Sequence, residues 1–281
     1  MISHKKNYFC TMWILNAIEW NVSPEIFDFG FLQVRYYGLF FAIGFMAGFY
    51  IIQKYYRDAG QDPLEVDNFL IYTILGGILG ARFGHILFYE FDYYLAYPSE
   101  ILKIWHGGLA SHGGVVGVLI STYIFSRKYN KPFLWIADRL AMPAAFIGGL
   151  IRLGNLMNSE IYGPQTDMPW GFIFRYNGET IPKHPTQIYE ALAYFAIAIF
   201  IWWVYRKENG KIHFGKLSGY FLSLVFIARF FIEFIKNNQE SFEEGMILNM
   251  GQILSIPIIA IGIYLIISSK NKPYKLINSE Q

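Results

Sequence analysis

Charged side chains stand inside segments that are otherwise apolar enough to cross a lipid bilayer. Arg82, Arg152 and Arg229 have apolar residues on both sides, while His112 and Arg175 lie at the edges of such segments. A charged side chain at the centre of a membrane helix costs about 3 kcal/mol on insertion scales, so it usually faces a polar interior and a partner. The pattern predicts arginines that share an anion within the membrane, and the commonest anion there is a lipid phosphate.

The first polar cluster follows an apolar segment directly. It contains Arg152, Asn155, Asn158 and Glu160. Arginine offers a planar fork of donors that suits phosphate oxygens, asparagine can donate or accept, and a carboxylate can orient either of them. The alternative is a helix end at which the arginine reaches the lipid headgroups while the amides and the carboxylate cap the chain.

A second cluster consists of Arg229 and Glu233, which are four residues apart and therefore share one face of a helix. They can form a private salt bridge, because burying either charge alone would be costly. They can also share a ligand, since one phosphate could satisfy several donors that lie at a similar depth.

A histidine between two glycine pairs marks the entrance to a third apolar segment. His112 lies between Gly107-Gly108 and Gly113-Gly114, and glycines there allow backbone conformations that other residues avoid and let a ligand approach the chain. The unperturbed pKa of a histidine, about 6.5, suits proton transfer near neutral pH. His112 is the candidate base.

For His85 and Tyr37, two other polar residues near apolar segments, an ordinary structural role is the first interpretation. Arg82 and His85 share a helix face, and Tyr37 lies where aromatic residues anchor a helix at the membrane interface. Thr186 is expected to cap a helix. Glu190 lies just inside the same segment, where a carboxylate is a candidate for function.

The composition is that of an integral membrane protein. Of 281 residues, 54% are hydrophobic and only 16% are charged, which is too apolar for an ordinary soluble domain. Gly76, Gly80 and Gly84 recur at a four-residue spacing that favours close helix packing. Seven segments approach the roughly 20 residues that a spanning helix needs, and they are Val34–Tyr55, Phe69–Phe91, Leu109–Phe125, Leu134–Ile151, Ile188–Tyr205, Leu217–Ile235 and Leu248–Ile267.

The connectors predict an orientation and one membrane domain over residues 1–281. Positive residues concentrate on one set of segment ends, which places the N-terminus outside and the C-terminus in the cytoplasm. Residues 155–187 form the longest connector, and their prolines and aromatics predict a small ordered cap that faces outward. A short interfacial helix is expected before Ile18, and Cys10 has no role. The net charge of +2 is too small, and the basic residues are too scattered, to suggest a nucleic-acid partner.

Several sequence motifs together resemble the bacterial prolipoprotein diacylglyceryl transferases, from Tyr36 to Pro257. The chain has no His-Glu-x-x-His zinc pair, Gly-x-Ser-x-Gly turn or phosphate loop, so transfer between two bound substrates is favoured over a covalent nucleophile. The motifs, in chain order, are Arg35-Tyr36-Tyr37-Gly38-Leu39, His106-Gly107-Gly108-Leu109-Ala110-Ser111-His112-Gly113-Gly114, Arg152-Leu153-Gly154-Asn155, His184-Pro185-Thr186-Gln187-Ile188-Tyr189-Glu190, Arg229-Phe230-Phe231-Ile232-Glu233-Phe234 and Met250-Gly251-Gln252-Ile253-Leu254-Ser255-Ile256-Pro257.

This resemblance implies an all-α enzyme with seven transmembrane helices in the bacterial inner membrane. Such an enzyme moves the diacylglyceryl group of phosphatidylglycerol to the lipobox cysteine of a preprolipoprotein, which forms a thioether and releases glycerol 1-phosphate. The partners are then membrane lipid and the lipobox peptide, with no cofactor and no metal. An anion channel or carrier and a lipid-binding scaffold remain alternatives, although the chain has no internal repeat of the kind that many carriers have.

Carried over to the matching positions, the resemblance implies two groups of site residues. Pro164 stands where the family often has arginine or threonine. We expect His112 to act as base, the arginines to stabilise the departing phosphate, the glutamates to orient them, and Tyr37 and Asn155 to position the headgroup. The predicted catalytic residues are His112, Arg229 and Glu233, and the predicted substrate-binding residues are Arg152, Asn155, Tyr37, Arg82, Glu160 and Gly163.

Overall fold

The computed structural model describes residues 17–30, 33–237, 243 and 245–273. Cys10 and most of the expected interfacial helix lie outside these residues. Within these residues the fold is helical apart from short 3-10 turns and four short strands. The sequence did not predict the strands. The strands are β1 (Ile18–Trp20), β2 (Glu25–Asp28), β3 (Gln33–Arg35) and β4 (Phe172–Phe174), and the helices are α1 (Tyr36–Asp58), α2 (Glu65–Phe88), α3 (Phe91–Ala96), α4 (Ser111–Lys128), α5 (Phe133–Met157), α6 (Thr186–Lys207), α7 (Lys216–Ile232) and α8 (Met250–Ser269).

Six helices in the described part of the chain are long and apolar enough to cross a membrane. They are α1, α2, α5, α6, α8 and α7 extended by a 3-10 turn over Glu233–Ile235. The remaining predicted segment, Leu109–Phe125, corresponds to α4. This helix has 18 residues and is rich in glycine, serine and threonine, which makes it less apolar than the others. The count of seven spans stays a prediction.

The described residues form two compact units. Residues up to Gly48 and from Ala141 to Pro273 make the first unit, and residues from Phe49 to Leu140 make the second. Helices α1 and α5 each contribute residues to both, because the chain passes from one unit to the other within them.

In the second unit, α2 and α4 pack through glycines. A Cβ atom added to Gly80 would lie 2.7 Å from the Cα of Gly117, and one added to Gly84 would lie 2.8 Å from the Cα of Gly113. Any larger residue would push the two backbones apart. The predicted role of the glycine row on α2 in close helix packing is confirmed.

The first unit has two small sheets. Strands β1 and β4 pair in parallel, with Ile18 opposite Phe172 and Trp20 opposite Phe174, and β2 and β3 form an antiparallel pair. Phe172 and Phe174 are buried with Leu156 in a small core. The connector between α5 and α6 is therefore held by the pairing of β4 with β1 and by a small core that it shares with α5.

Helices α7 and α8 also pack closely in the first unit. A Cβ on Gly262 would meet the backbone nitrogen of Ser223 at 2.7 Å. Helix α8 begins with a reciprocal cap. The Asn249 side-chain oxygen accepts from the backbone N–H of Gln252 at 2.9 Å, and the Gln252 side-chain oxygen accepts from the backbone N–H of Asn249 at 3.0 Å. This cap fixes where α8 starts, opposite the end of α7.

Candidate active site

The end of α5 and the connector that follows bring the first predicted cluster together. Arg152 donates from Nη1 to the Asn155 side-chain oxygen at 3.2 Å. Asn155 in turn donates to Oε1 of Glu160 at 2.7 Å, and Asn158 donates to the same oxygen at 3.1 Å. The two amides hold the Glu160 carboxylate in place, and Asn155 links it to Arg152.

The start of α6 supports this arrangement. Thr186 donates to the Ile161 carbonyl at 2.8 Å, and Gln187 donates from its side chain to the Glu160 carbonyl at 2.6 Å. The prediction that Thr186 caps the helix is wrong, because the cap position is Pro185 and the Thr186 hydroxyl is used for this contact with the connector. The connector backbone is thereby tied to α6.

Glu190, four residues into α6, is the main ionic partner of Arg152. Its Oε2 lies 3.0 Å from Arg152 Nε, and its side chain is fully buried. The Tyr194 side chain, one turn further along the helix, also interacts with Arg152. A fully buried carboxylate is costly unless it is paired, so Arg152 and Glu190 depend on each other.

Lys236 connects this pair to the second predicted cluster. Its Nζ lies 3.7 Å from Glu190 Oε1 and 3.6 Å from Glu233 Oε2. Arg229 Nε lies 4.0 Å from the same Glu233 oxygen. We call these residues the charge network: Arg152, Glu190, Lys236, Glu233 and Arg229, in which cations and carboxylates alternate.

The accessibility of the charge network increases from its middle to its ends. The side chain of Lys236 is 1% exposed and that of Glu233 is 5% exposed, whereas those of Arg152 and Arg229 are 16% and 28% exposed. Only the two arginines at the ends are accessible enough to meet a ligand directly. The middle of the network is packed inside the protein.

Three glycines allow the close approaches that build this region. A Cβ on Gly251 would lie 2.8 Å from the Glu233 carboxyl carbon, and a Cβ on Gly154 would lie 2.7 Å from the ring of Tyr37. A Cβ on Gly163 would overlap the Ile235 carbonyl oxygen. Tyr37 is thereby packed onto α5 at the turn that carries Asn155.

Gly163 is also bound through its backbone. Its carbonyl accepts from the Asn237 side chain at 3.3 Å, and its amide donates to the His184 carbonyl at 2.9 Å. The predicted contact of Gly163 with substrate stays a prediction. In the structure this glycine brings the connector against the turn that precedes Lys236.

His112 and Arg82 belong to the second unit. His112 is exposed in the first turn of α4. Arg82 is 4% exposed and donates to backbone carbonyls, at 3.0 Å to Ile101 and at 2.6 Å to Gly107. The carbonyls of Glu100, Lys103 and Gly108 complete its hydrogen bonds.

Arg82 therefore organises the loop before α4. Gly107 and Gly108 have positive φ angles of 88° and 71°, and a Cβ on Gly108 would lie 2.7 Å from Arg82 Nη1. The predicted conformational freedom of these glycines is confirmed. The predicted contact of Arg82 with substrate stays a prediction, because its donors are directed at the loop.

Two members of the charge network, Glu190 and Lys236, were not among the predicted site residues. Glu190 is noticeable only because it lies inside an apolar segment, and Lys236 resembles any connector lysine after a span. The spacing of Lys236 three residues after Glu233 was the available signal, since such residues share a helix face. Its burial depends on α6, which lies far away in the sequence.

Comparison with known proteins identifies the family to which the chain is similar. A family model described as prolipoprotein diacylglyceryl transferase matches residues 24–268. Three similar proteins are each named phosphatidylglycerol–prolipoprotein diacylglyceryl transferase. The one from Tolumonas auensis is 47% identical, covering 90% of this chain and 98% of the relative. Those from Chloroherpeton thalassium and Porphyromonas gingivalis are 45% and 42% identical, and the alignments cover 90% and 91% of this chain and 94% and 96% of the relatives.

Proposed function

Because the chain belongs to the prolipoprotein diacylglyceryl transferase family, we propose that its charge network binds the phosphate of phosphatidylglycerol during transfer. The protein is a transferase that moves the diacylglyceryl group of phosphatidylglycerol to a prolipoprotein in lipoprotein maturation. The single observation that carries the phosphate site is that Arg152 and Arg229, on different helices, are the two partly exposed ends of one connected network.

The chemistry requires that negative charge be stabilised where the phosphate departs. The sulfur of the lipobox cysteine attacks the glyceryl carbon that is bonded to the phosphate oxygen, so a carbon–sulfur bond forms as a carbon–oxygen bond breaks. Glycerol 1-phosphate leaves with the electron pair of the broken bond. Arginines held in a site with little water stabilise this developing charge more strongly than solvated ones do.

The remaining roles follow from the chemistry of each side chain. The thiol must lose its proton, because the thiolate is the competent nucleophile, and His112 is our candidate to accept it. Glu233 orients Arg229, and Glu160 orients Arg152 through Asn155. Asn155 binds the headgroup together with Tyr37. Arg82 and Gly163 contribute to substrate binding through their neighbours. Arg82 holds the loop before α4, and Gly163 lets the connector pack against the turn before Lys236.

We further propose that the protein is a bacterial inner-membrane enzyme with seven spans. Helix α4 also crosses the membrane and brings the count from six to seven. The N-terminus lies outside and the C-terminus in the cytoplasm, so the connector between α5 and α6 forms an outward-facing cap. The concentration of lysine and arginine at one set of helix ends supports this orientation. The acceptor is the lipobox peptide of a preprolipoprotein, and membrane lipid supplies the donor.

One assay tests this function. Purified protein in phosphatidylglycerol nanodiscs is incubated with a lipobox peptide, and mass spectrometry detects the thioether product. Arg152→Lys and Arg229→Lys keep a charge but lose the fork of donors, so each should reduce the rate by at least about 100-fold while the protein still inserts. Arg175→Lys is the matched control, because Arg175 pairs with the exposed Glu19 and should give the parent rate.

Other outcomes would reject the proposal. An anion carrier or a lipid-binding scaffold would bind phosphatidylglycerol without making a thioether. Parent rates in both network variants would show that the arginines do not act on the phosphate.

A further inference from the structure

Lys236 lies at the centre of the charge network, although neither the predicted chemistry nor the predicted site uses it. It is the first residue after the 3-10 turn that extends α7, and its extended backbone, with φ −122° and ψ 145°, ends the helix there. The side chain is 1% exposed. Its ammonium group lies almost equally far from two carboxylates that belong to different helices, at 3.7 Å from Glu190 and 3.6 Å from Glu233.

Such a placement is costly without a compensating role. Lysine strongly prefers water, and moving its charge into the protein interior carries a large desolvation penalty. Among the described residues the Lys236 ammonium has no hydrogen-bond partner, and the carboxylates that attract it are those of Glu190 and Glu233. A lysine that served only to neutralise one glutamate would more favourably lie against that glutamate.

We propose that Lys236 is a positioning residue that links the Arg152–Glu190 and Arg229–Glu233 pairs and so fixes the two arginines for one phosphate. This inference rests on the proposed phosphate site. Lys236 is too deeply buried to touch the lipid, and it acts through the carboxylates. The network thus joins α5, α6 and the end of α7 into one support for the two arginines.

A second effect follows from the shared carboxylates. Each glutamate divides its attraction between Lys236 and one arginine. Without Lys236, Glu190 and Glu233 would repel each other, and each would draw its own arginine more strongly away from the phosphate. Lys236 therefore also keeps the arginines available for the lipid.

The charge of Lys236 gives the proposal a pH signature. Burial lowers the pKa of Lys236, while Glu190 and Glu233 raise it and Arg152 and Arg229 lower it. The parent network consequently loses its central charge as the pH rises through this lowered pKa. An arginine in the same place stays charged throughout, since its pKa is above about 12.

The experiment compares Lys236→Met and Lys236→Arg with the parent in the nanodisc assay. Lys236→Met should lower kcat and kcat/KM for phosphatidylglycerol together, by about 10- to 100-fold, because a misplacement of about 1 Å in a catalytic site can cost about 100-fold. Lys236→Arg should retain most of the rate near neutral pH. The ratio of its rate to the parent rate should rise as the pH increases, and this ratio cancels the titration of the substrate thiol.

Lys183→Met is the matched control, because Lys183 pairs with Glu179 at 3.4 Å outside the network and its loss should leave kcat unchanged. All rates are expressed per folded molecule. A purely structural role would reduce the amount of folded Lys236→Met but not its kcat. If Lys236→Met does not fold, the pH dependence of the ratio between the Lys236→Arg rate and the parent rate still tests the proposal.

Two results would overturn the inference: a parent-like kcat in folded Lys236→Met, or a ratio of Lys236→Arg to parent rates that stays constant with pH. Failure of the proposed phosphate site looks different. In that case Arg152→Lys and Arg229→Lys would keep the parent rate, whatever happens at Lys236.

Discussion

Gly251 provides a sharp test because adding one methyl group there should move a charge without unfolding the protein. An alanine Cβ at this position would lie 2.8 Å from the Glu233 carboxyl carbon and 3.0 Å from its Oε1. Two carbon atoms pack at about 3.5–4.0 Å. The Glu233 carboxylate must therefore shift by roughly 1 Å, a little less if the α8 backbone yields as well.

The substitution should have a small effect on stability and a large effect on activity. The displaced group is the end of a flexible side chain, and replacing a helical glycine by alanine favours the helix by about 0.5–1 kcal/mol. The net change in the free energy of unfolding should therefore stay within about 1 kcal/mol. Activity should fall by about 10- to 100-fold, or about 1.4–2.7 kcal/mol of transition-state stabilisation, because Glu233 positions Arg229.

The measurement is kcat/KM for phosphatidylglycerol in the nanodisc assay, together with thermal unfolding of the same sample. Gly77→Ala is the matched control, since its Cβ would meet only Val118 at an ordinary 3.5 Å, and it should have the parent kcat/KM. A Gly251→Ala enzyme with parent activity would refute the reasoning, because it would mean that the position of the Glu233 carboxylate does not matter for transfer.

Two further predictions concern stability. Glu190→Gln leaves buried cations without their carboxylate and should lower the free energy of unfolding by about 3–5 kcal/mol. Its control, Glu19→Gln, removes an exposed ion pair and should change the free energy of unfolding by at most about 1 kcal/mol. Equal melting temperatures for the two variants would contradict the role of Glu190 in compensating the buried cations. Gly80→Ala places a Cβ 2.7 Å from the Cα of Gly117 and should cost about 1–3 kcal/mol, measured by thermal unfolding in detergent. A melting temperature equal to that of Gly77→Ala would mean that the α2–α4 contact adjusts freely.

The sequence predicted the features that depend on neighbouring residues. Six of the predicted spans correspond to helices that can cross a membrane, because an apolar stretch of sufficient length is a local property. The glycine row on α2 predicted close packing for the same reason, since its four-residue spacing places the glycines on one face. The cluster around Arg152 and Asn155 was also visible, because its members are close together along the chain.

The sequence did not predict the short strands or the use of Thr186. Strand β4 exists because β1, far away in the chain, supplies its hydrogen-bonding partner. Thr186 has the residue type and position of a helix cap, but the Ile161 carbonyl lies near enough to take its hydroxyl. Both features depend on which segments meet, and local patterns do not contain that information.

The amino-acid sequence by itself determined that this chain is a membrane protein, which family it resembles and which arginines stand at costly positions. Only the tertiary structure decided how those charges are compensated. Arg229 on α7 and Glu233 in the 3-10 turn that extends it are four residues apart, yet the cation closer to Glu233 is Lys236. Lys236 in turn reaches Glu190 on α6. The physical reason is that the energy of a buried charge depends on every charge around it in space, and those neighbours come from helices that the chain brings together only when it folds.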